Sequence, residues 1–153
     1  LGLPTVAELW ADRPARSLPG ALWRLYVLRE WVRRDPAAAS GDYREGVGHA
    51  DVAAVIAGAG SPTGPQEMRE LADAILRGVY DGDVAVALDR AAAFARVIAS
   101  GRAAREPDGA SGRDGTLSLS DLSARHARSA AAVSAMAEDL TACARLWRRG
   151  DLV

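Results

Sequence analysis

The sequence predicts an all-α protein, a single irregular helical bundle, from three observations. Apolar residues recur three and four positions apart over several long stretches, which is the spacing of one face of an α-helix. Proline, glycine and capping residues separate these stretches. Nothing before residue 50 or after residue 100 alternates apolar and polar residues as a half-buried strand does. With 153 residues we expect one domain, covering residues 1–153.

The first part of the chain predicts two helices and a loop. A short helix is expected over residues 5–12, where Thr5 and Glu8 have the spacing of a capping box. A longer helix is expected over residues 20–34, ended by Pro36. Its core face is formed by Leu18, Ala21, Leu25, Leu28 and Val32. We expect the polar, glycine-broken segment 37–48 to be a loop or a single helical turn.

The middle of the chain predicts three helices. The first, a short one over residues 50–58, places Val52, Val55, Ile56 and Ala59 on one face. The next covers residues 65–79, with Thr63 as its N-cap and Pro65 in its first turn. Its apolar face holds Met68, Leu71, Ala72, Ile75 and Val79. The third covers residues 84–104, with a stripe formed by Val84, Leu88, Ala91, Ala95 and Ile98.

The last part of the chain predicts a loop and a long helix. Residues 105–117 are rich in Gly, Asp and Ser, so we expect a flexible loop there. The final helix is expected over residues 119–149, capped by Ser118 or Ser120. Its seam repeats every seven residues, at Leu119, His126, Val133, Leu140 and Trp147, and its edge is lined by Ala130, Ala137 and Ala144.

The segment 55–66 has the glycine density of a phosphate-binding turn. A dinucleotide site needs a strand before the glycines and a second strand after the following helix. The helical spacing that begins at Val84 and Leu88 continues to Ile98, which leaves no second strand. Pro62 and Pro65 also remove backbone donors where a phosphate, or a base-reading helix, would need them. The sequence therefore predicts a boundary between two helices.

Composition narrows the classes of function. The net charge is -1 at pH 7, so there is no general electrostatic attraction to nucleic acid or to an anionic membrane. Cys143 is the only cysteine, which excludes an internal disulfide and a cysteine-based zinc cluster. No run of about 18 apolar residues occurs. We expect a cytoplasmic protein.

Two sets of residues are candidates for chemistry. Glu67, Glu70 and Asp73 lie three apart and share one helical strip, which with Mg²⁺ could serve phosphorylated substrates. Arg69 and Arg77 flank the strip, so an ion-paired surface is favoured.

His126 is the second candidate, because an imidazole in an apolar seam could be a base, a metal ligand or a phosphoryl acceptor. A histidine with a structural hydrogen-bond partner is the favoured interpretation. We expect no metal and no cofactor.

The helix over residues 20–34 has a second apolar stripe opposite its core face. Trp23, Val27 and Trp31 form this stripe, and Arg24 and Arg34 border it. Tryptophan and arginine dominate the energetics of protein interfaces, so the stripe is a candidate subunit contact. Cover from within the chain, by Trp10 or Trp147, is the alternative and is favoured for the stripe taken alone.

The sequence thus favours a non-enzymatic interaction module that binds itself or another helical protein. The first alternative is a helical bundle that binds a small molecule or nucleotide, through the carboxylate strip with Mg²⁺ or through the 58–64 loop. The second alternative is a DNA-binding regulator, which the charge balance disfavours.

Overall fold

The computed structural model describes residues 13–49, 56–57, 64–105 and 129–153, and within these ranges it contains five helices and no strand. The predicted all-α class is therefore confirmed. The helices are α1 (Leu18–Arg34), α2 (Pro36–Val47), α3 (Pro65–Tyr80), α4 (Val84–Arg105) and α5 (Ala130–Arg148).

Helix α4 lies at the centre of the bundle and packs against each of the other four helices. The stripe predicted for it is buried, but so are Ala92, Ala93, Phe94 and Val97 on its other sides. A helix with apolar residues on several sides is one that several neighbours cover. Because α4 is helical without interruption from Val84, the second strand of a dinucleotide-binding fold is excluded.

Helices α1 and α3 run in opposite directions beside α4. Helix α1 begins beside the carboxyl end of the chain, where the Leu18 N–H donates to the Val153 carbonyl at 3.1 Å. That end lies near the start of α4, since Arg148 and Asp89 form an ion pair at 2.6 Å. Only three residues separate α3 from α4, so α3 ends where α1 begins. The core faces predicted for α1 and α3 are buried, except for the half-buried Leu18 and Val79.

Helix α2 corrects the prediction of a loop or single turn over residues 37–48. Asp35 caps it by accepting from the Ala38 N–H at 3.2 Å, and Pro36 occupies its first position. Gly46 faces the backbone of α4, where a Cβ would overlap the Val97 carbonyl oxygen. A Cβ on Gly101 would likewise overlap the Asp42 carbonyl oxygen. Gly46, one of the glycines that argued against a helix, is therefore a residue that lets α2 and α4 approach closely.

Helix α5 is shorter than predicted. Ser129 has extended backbone angles (φ -70°, ψ 154°), and its hydroxyl accepts from the Ala132 N–H at 3.2 Å. It therefore begins α5, so the prediction of an unbroken helix over 119–149, capped by Ser118 or Ser120, is wrong. Val133 and Leu140 are buried, as are Ala137 and Ala144. Trp147 is exposed in the last turn of α5, although its direction around the helix lies between those of the buried Leu140 and Cys143.

Two further predictions in the middle of the chain are corrected. The N-cap of α3 is Gly64, with extended backbone, and not Thr63. Ile56 is exposed and Ala57 is fully buried, so the prediction that Ile56 lies on the buried apolar face of this segment is wrong. The remaining residues of the 50–58 helix, the 5–12 helix, residues 106–117 of the predicted loop and residues 119–128 lie outside the described part of the chain.

Candidate interaction surface

The three residues of the predicted aromatic stripe have different surroundings in the structure. Trp23 and Val27 are half-buried, and Trp23 stacks on Tyr26 with ring centroids 6.0 Å apart and planes 29° from parallel. Trp31 packs against the core, and the Arg102 guanidinium lies 4.4 Å from its ring centroid. Each step of four residues turns by about 40° around a helix. Trp31 is therefore turned about 80° from Trp23, toward α4.

The arginines that border the stripe also differ. The Arg24 guanidinium donates to the Gly20 carbonyl at 3.0 Å, so it is held along the helix. Arg34 is exposed in the last turn of α1, beside Arg33. Trp23, Val27 and Arg34 lie within about 40° of one another around α1. We call the set Trp23, Tyr26, Val27 and Arg34 the α1 aromatic surface.

Tyr26 is the member of this surface that the sequence interpretation missed. It stands three residues after Trp23, the spacing at which two aromatic side chains meet on a helix. The proposed cover from Trp10 lies outside the described residues. For Trp31, the cover comes from α4 through Arg102.

A buried ion pair fixes the end of α1 where Trp31 lies. Arg102 donates to Asp42 Oδ2 from Nε at 3.1 Å and from Nη2 at 2.8 Å, and the two side chains are 13% and 7% exposed. Arg102 Nη1 is buried without a hydrogen-bond partner. Because the same guanidinium stacks on Trp31, this cluster connects α1, α2 and α4. Sequence reasoning missed it, since Asp42 fell in the segment read as a loop.

Tyr43 lies near this ion pair, where α2 crosses α4. It is fully buried, and its ring centroid is 5.6 Å from that of Phe94. Burial raises the pKa of the Tyr43 phenol to about 12, because a phenolate would lose its hydration there. The phenol is therefore neutral at physiological pH and contributes packing to the crossing.

The candidate carboxylates lie on the outer side of α3. Asp73 accepts from Arg29 Nε at 2.7 Å, across the contact between α1 and α3. Glu70 accepts from Gln66 Nε2 at 3.3 Å, and Glu67 is exposed in the first turn. No group of three or more His, Cys, Asp or Glu residues able to hold a metal occurs among the described residues. Arg29 forms an ion pair with this strip at Asp73, and the flanking Arg69 and Arg77 are exposed.

The remaining candidate for chemistry is a histidine, and the chain's one cysteine is described with it. His126 lies outside the described ranges. Cys143 is fully buried and its thiol donates to the Ala15 carbonyl at 3.4 Å. Burial, and to a lesser extent the charge of Asp139, raises the pKa of the Cys143 thiol. A protonated, buried thiol is a poor nucleophile.

An open cleft of about 520 Å³ lies between α4 and α5. Arg96 and Glu138 carry opposite charges at its wall, and Arg96 also donates to the Thr141 hydroxyl. The other described residues that line it are small: Ala99, Ser100, Ala103, Ala130, Ala131 and Ser134.

Comparison of the chain with protein-family models, curated proteins and solved structures gives no match. Function is therefore argued from the residues themselves. Within the described ranges, no helix combines the length and apolar character needed to span a bilayer.

Proposed function

We propose that the protein is a non-enzymatic interaction module that self-associates through the α1 aromatic surface. The observation that carries this proposal is the stacked, half-buried pair Trp23 and Tyr26, with Val27 beside it, on the side of α1 away from the core. Aromatic residues and arginine are the types enriched where protein interfaces are most strongly stabilised.

The energetics of this surface support association. Covering a further ~100 Å² of apolar area on the aromatic pair contributes roughly 2.5 kcal/mol, and a two-fold dimer gains this contribution twice. The stack between Trp23 and Tyr26 already restricts these two side chains. Side chains that are ordered before binding lose less entropy when they bind.

Sedimentation velocity over a range of concentrations tests the proposal. We expect the wild-type chain to form dimers and Trp23→Ala to weaken them at least tenfold, the equivalent of about 1.4 kcal/mol. Trp147→Ala removes an exposed tryptophan from α5 and is the matched control, which we expect to leave the dimer intact. A wild-type chain that stays monomeric at the highest attainable concentration contradicts the proposal.

The cleft between α4 and α5 supports a second candidate, binding of a small ligand. Its volume is within the roughly 300–1,000 Å³ of ligand sites, and its opposite charges at Arg96 and Glu138 suit a small zwitterion such as an amino acid. A thermal-shift screen of amino acids, nucleotides and Mg²⁺ tests it, because a ligand at 100 times its Kd stabilises by about 2.7 kcal/mol. A shift that persists in Arg96→Ala would place binding elsewhere.

A further inference from the structure

We propose that the α1 aromatic surface is covered by α3 of a second copy, in a two-fold dimer that packs each α1 on the α3 of the other chain. This inference rests on the proposed self-association and names the surface that completes it.

The first support is the separation of charge between α1 and α3. Residues 13–34 contain six arginines and one glutamate, although the whole chain has a net charge of -1. Helix α3 and the turn that follows it contain five carboxylates and two arginines. A basic helix and an acidic segment therefore lie side by side in one subunit. Unlike charges across an interface favour one docking geometry over others.

The second support is the way the two helices adjoin. They pack through Leu25 and Leu28 of α1 and Ala72 and Ile75 of α3, and the ion pair between Arg29 and Asp73 joins them at the surface. A two-fold axis parallel to these antiparallel helices places each α1 opposite the α3 of the other copy. Such an isologous contact is self-complementary. An axis perpendicular to the helices would instead set α1 on α1, arginine against arginine.

The third support is the register that this axis imposes. Rotation about an axis parallel to the helices leaves the position of every residue along that axis unchanged. Arg29 of one copy is therefore level with Asp73 of the other. With a rise of 1.5 Å per residue, Arg33 is then close to the level of Glu70 of the second copy. In the other direction, Trp23 is level with Val79 of the second copy and one residue, about 1.5 Å, from the level of Tyr80.

Tyr80 is the residue whose surroundings this arrangement changes most. It is 72% exposed, more than any other aromatic side chain in the described part of the chain. In the dimer it meets the stack of Trp23 and Tyr26, and aromatic contacts of this kind contribute beyond their buried area. The dimer thus covers exposed aromatic residues of both helices with one contact.

A charge-swap experiment tests the pairing. One variant carries Arg33→Glu and Arg34→Glu in α1, and the other carries Glu67→Arg and Glu70→Arg in α3. In a homodimer of either variant, both α1–α3 contacts then bring like charges together. We expect each variant to dimerise at least tenfold more weakly than the wild type. Mixed in equal amounts, they should form a heterodimer of wild-type affinity, because both contacts then pair unlike charges. Arg44→Glu with Glu45→Arg on the exposed side of α2 is the control.

The outcomes separate this inference from the proposed function. If the wild type dimerises and Trp23→Ala dissociates it, but the mixed variants stay monomeric, the α1-on-α3 pairing is wrong and self-association through α1 stands. A monomeric wild type overturns both. Circular dichroism checks that each variant is helical. Should a charge variant fail to fold, Tyr80→Ala replaces it, and an unchanged dimer affinity in Tyr80→Ala overturns the pairing.

Discussion

Two tryptophans on the same helix illustrate two different uses of a side chain. Trp31 lies at the crossing of α2 and α4, against the core and beneath the Arg102 guanidinium. Trp23, two turns earlier, is half-buried and stacks on its neighbour Tyr26. Because residues four apart are turned by about 40° around a helix, Trp31 faces the interior and Trp23 faces the outer side. The first belongs to folding and the second, by our proposal, to association.

The two regions also differ in how many constraints hold them. At the crossing, the close approach at Gly46 and Gly101, the ion pair of Asp42 and Arg102, and the Trp31 ring all depend on one spacing between helices. The α1 aromatic surface has one internal contact, the stack of Trp23 on Tyr26. Substitutions at the crossing should therefore change the free energy of unfolding, and substitutions at the surface should change dimer affinity.

The largest expected effect is that of Gly101→Ala. The new methyl group would overlap the Asp42 carbonyl oxygen, so α2 and α4 must separate. We expect a loss of about 3 kcal/mol or more in the free energy of unfolding, the upper range for overpacking. Urea denaturation followed by circular dichroism measures it.

Gly78→Ala is the matched control for this prediction. Its methyl group would meet the Ala87 side chain at 3.4 Å, an ordinary contact. We expect it to stabilise the protein by up to about 1 kcal/mol, because alanine favours a helix over glycine. Equal effects of the two substitutions would show that the crossing is not as close as described.

The next effect is that of Arg102→Met. It removes the cation from a buried pair and leaves the Asp42 carboxylate, which is 7% exposed, without that partner. We expect a loss of about 2 to 3 kcal/mol, somewhat less than for a fully enclosed pair. Adding Asp42→Leu should recover part of the loss, because no carboxylate is then buried. If the double variant loses as much free energy of unfolding as the two single variants added together, Arg102 and Asp42 are not coupled.

Helices α1 and α3 were predictable from the sequence because each has one apolar face. Leu25 and Leu28 in α1, and Met68 and Ile75 in α3, are buried as their spacing indicates. Helix α2 was not predictable in this way, because its contacts with α4 include Gly46, which has no side chain to count as apolar, and the charged Asp42. The start of α5 was missed for a different reason. Ser129 is one of several serines in this part of the sequence, and their spacing alone does not show which one caps the helix.

The candidate surface was partly predictable. Trp23 and Val27 were identified because their spacing sets them opposite the core face. The inward position of Trp31 depends on Arg102, which is 71 residues away along the chain, and periodicity within one helix carries no information about that contact. The link between Asp73 and Arg29 likewise depends on which helix packs beside α3.

Comparison of Trp31→Ala with Trp23→Ala tests the difference between the two regions directly. We expect Trp31→Ala to lower the free energy of unfolding by about 1 to 2 kcal/mol, less than for a fully buried tryptophan. Trp23→Ala should have the smaller effect on unfolding under conditions where the protein is monomeric, and the larger effect on dimer affinity. Chemical denaturation at low concentration and sedimentation at high concentration separate the two quantities. The reverse pattern would exchange the roles assigned to the two residues.

The smallest effect is a dependence of stability on alkaline pH, which comes from the crossing. Burial raises the pKa of Tyr43 from 10.0 to about 12, so the folded state resists deprotonation that the unfolded state undergoes. Its contribution is complete below pH 10 and is lost as the pH rises toward 12. Between pH 9 and 11 we expect a loss of about 1 kcal/mol. Tyr43→Phe should flatten this part of the profile, measured by urea denaturation at each pH. An equally steep profile in Tyr43→Phe would mean that another group is responsible and that the phenol at the crossing is in contact with water.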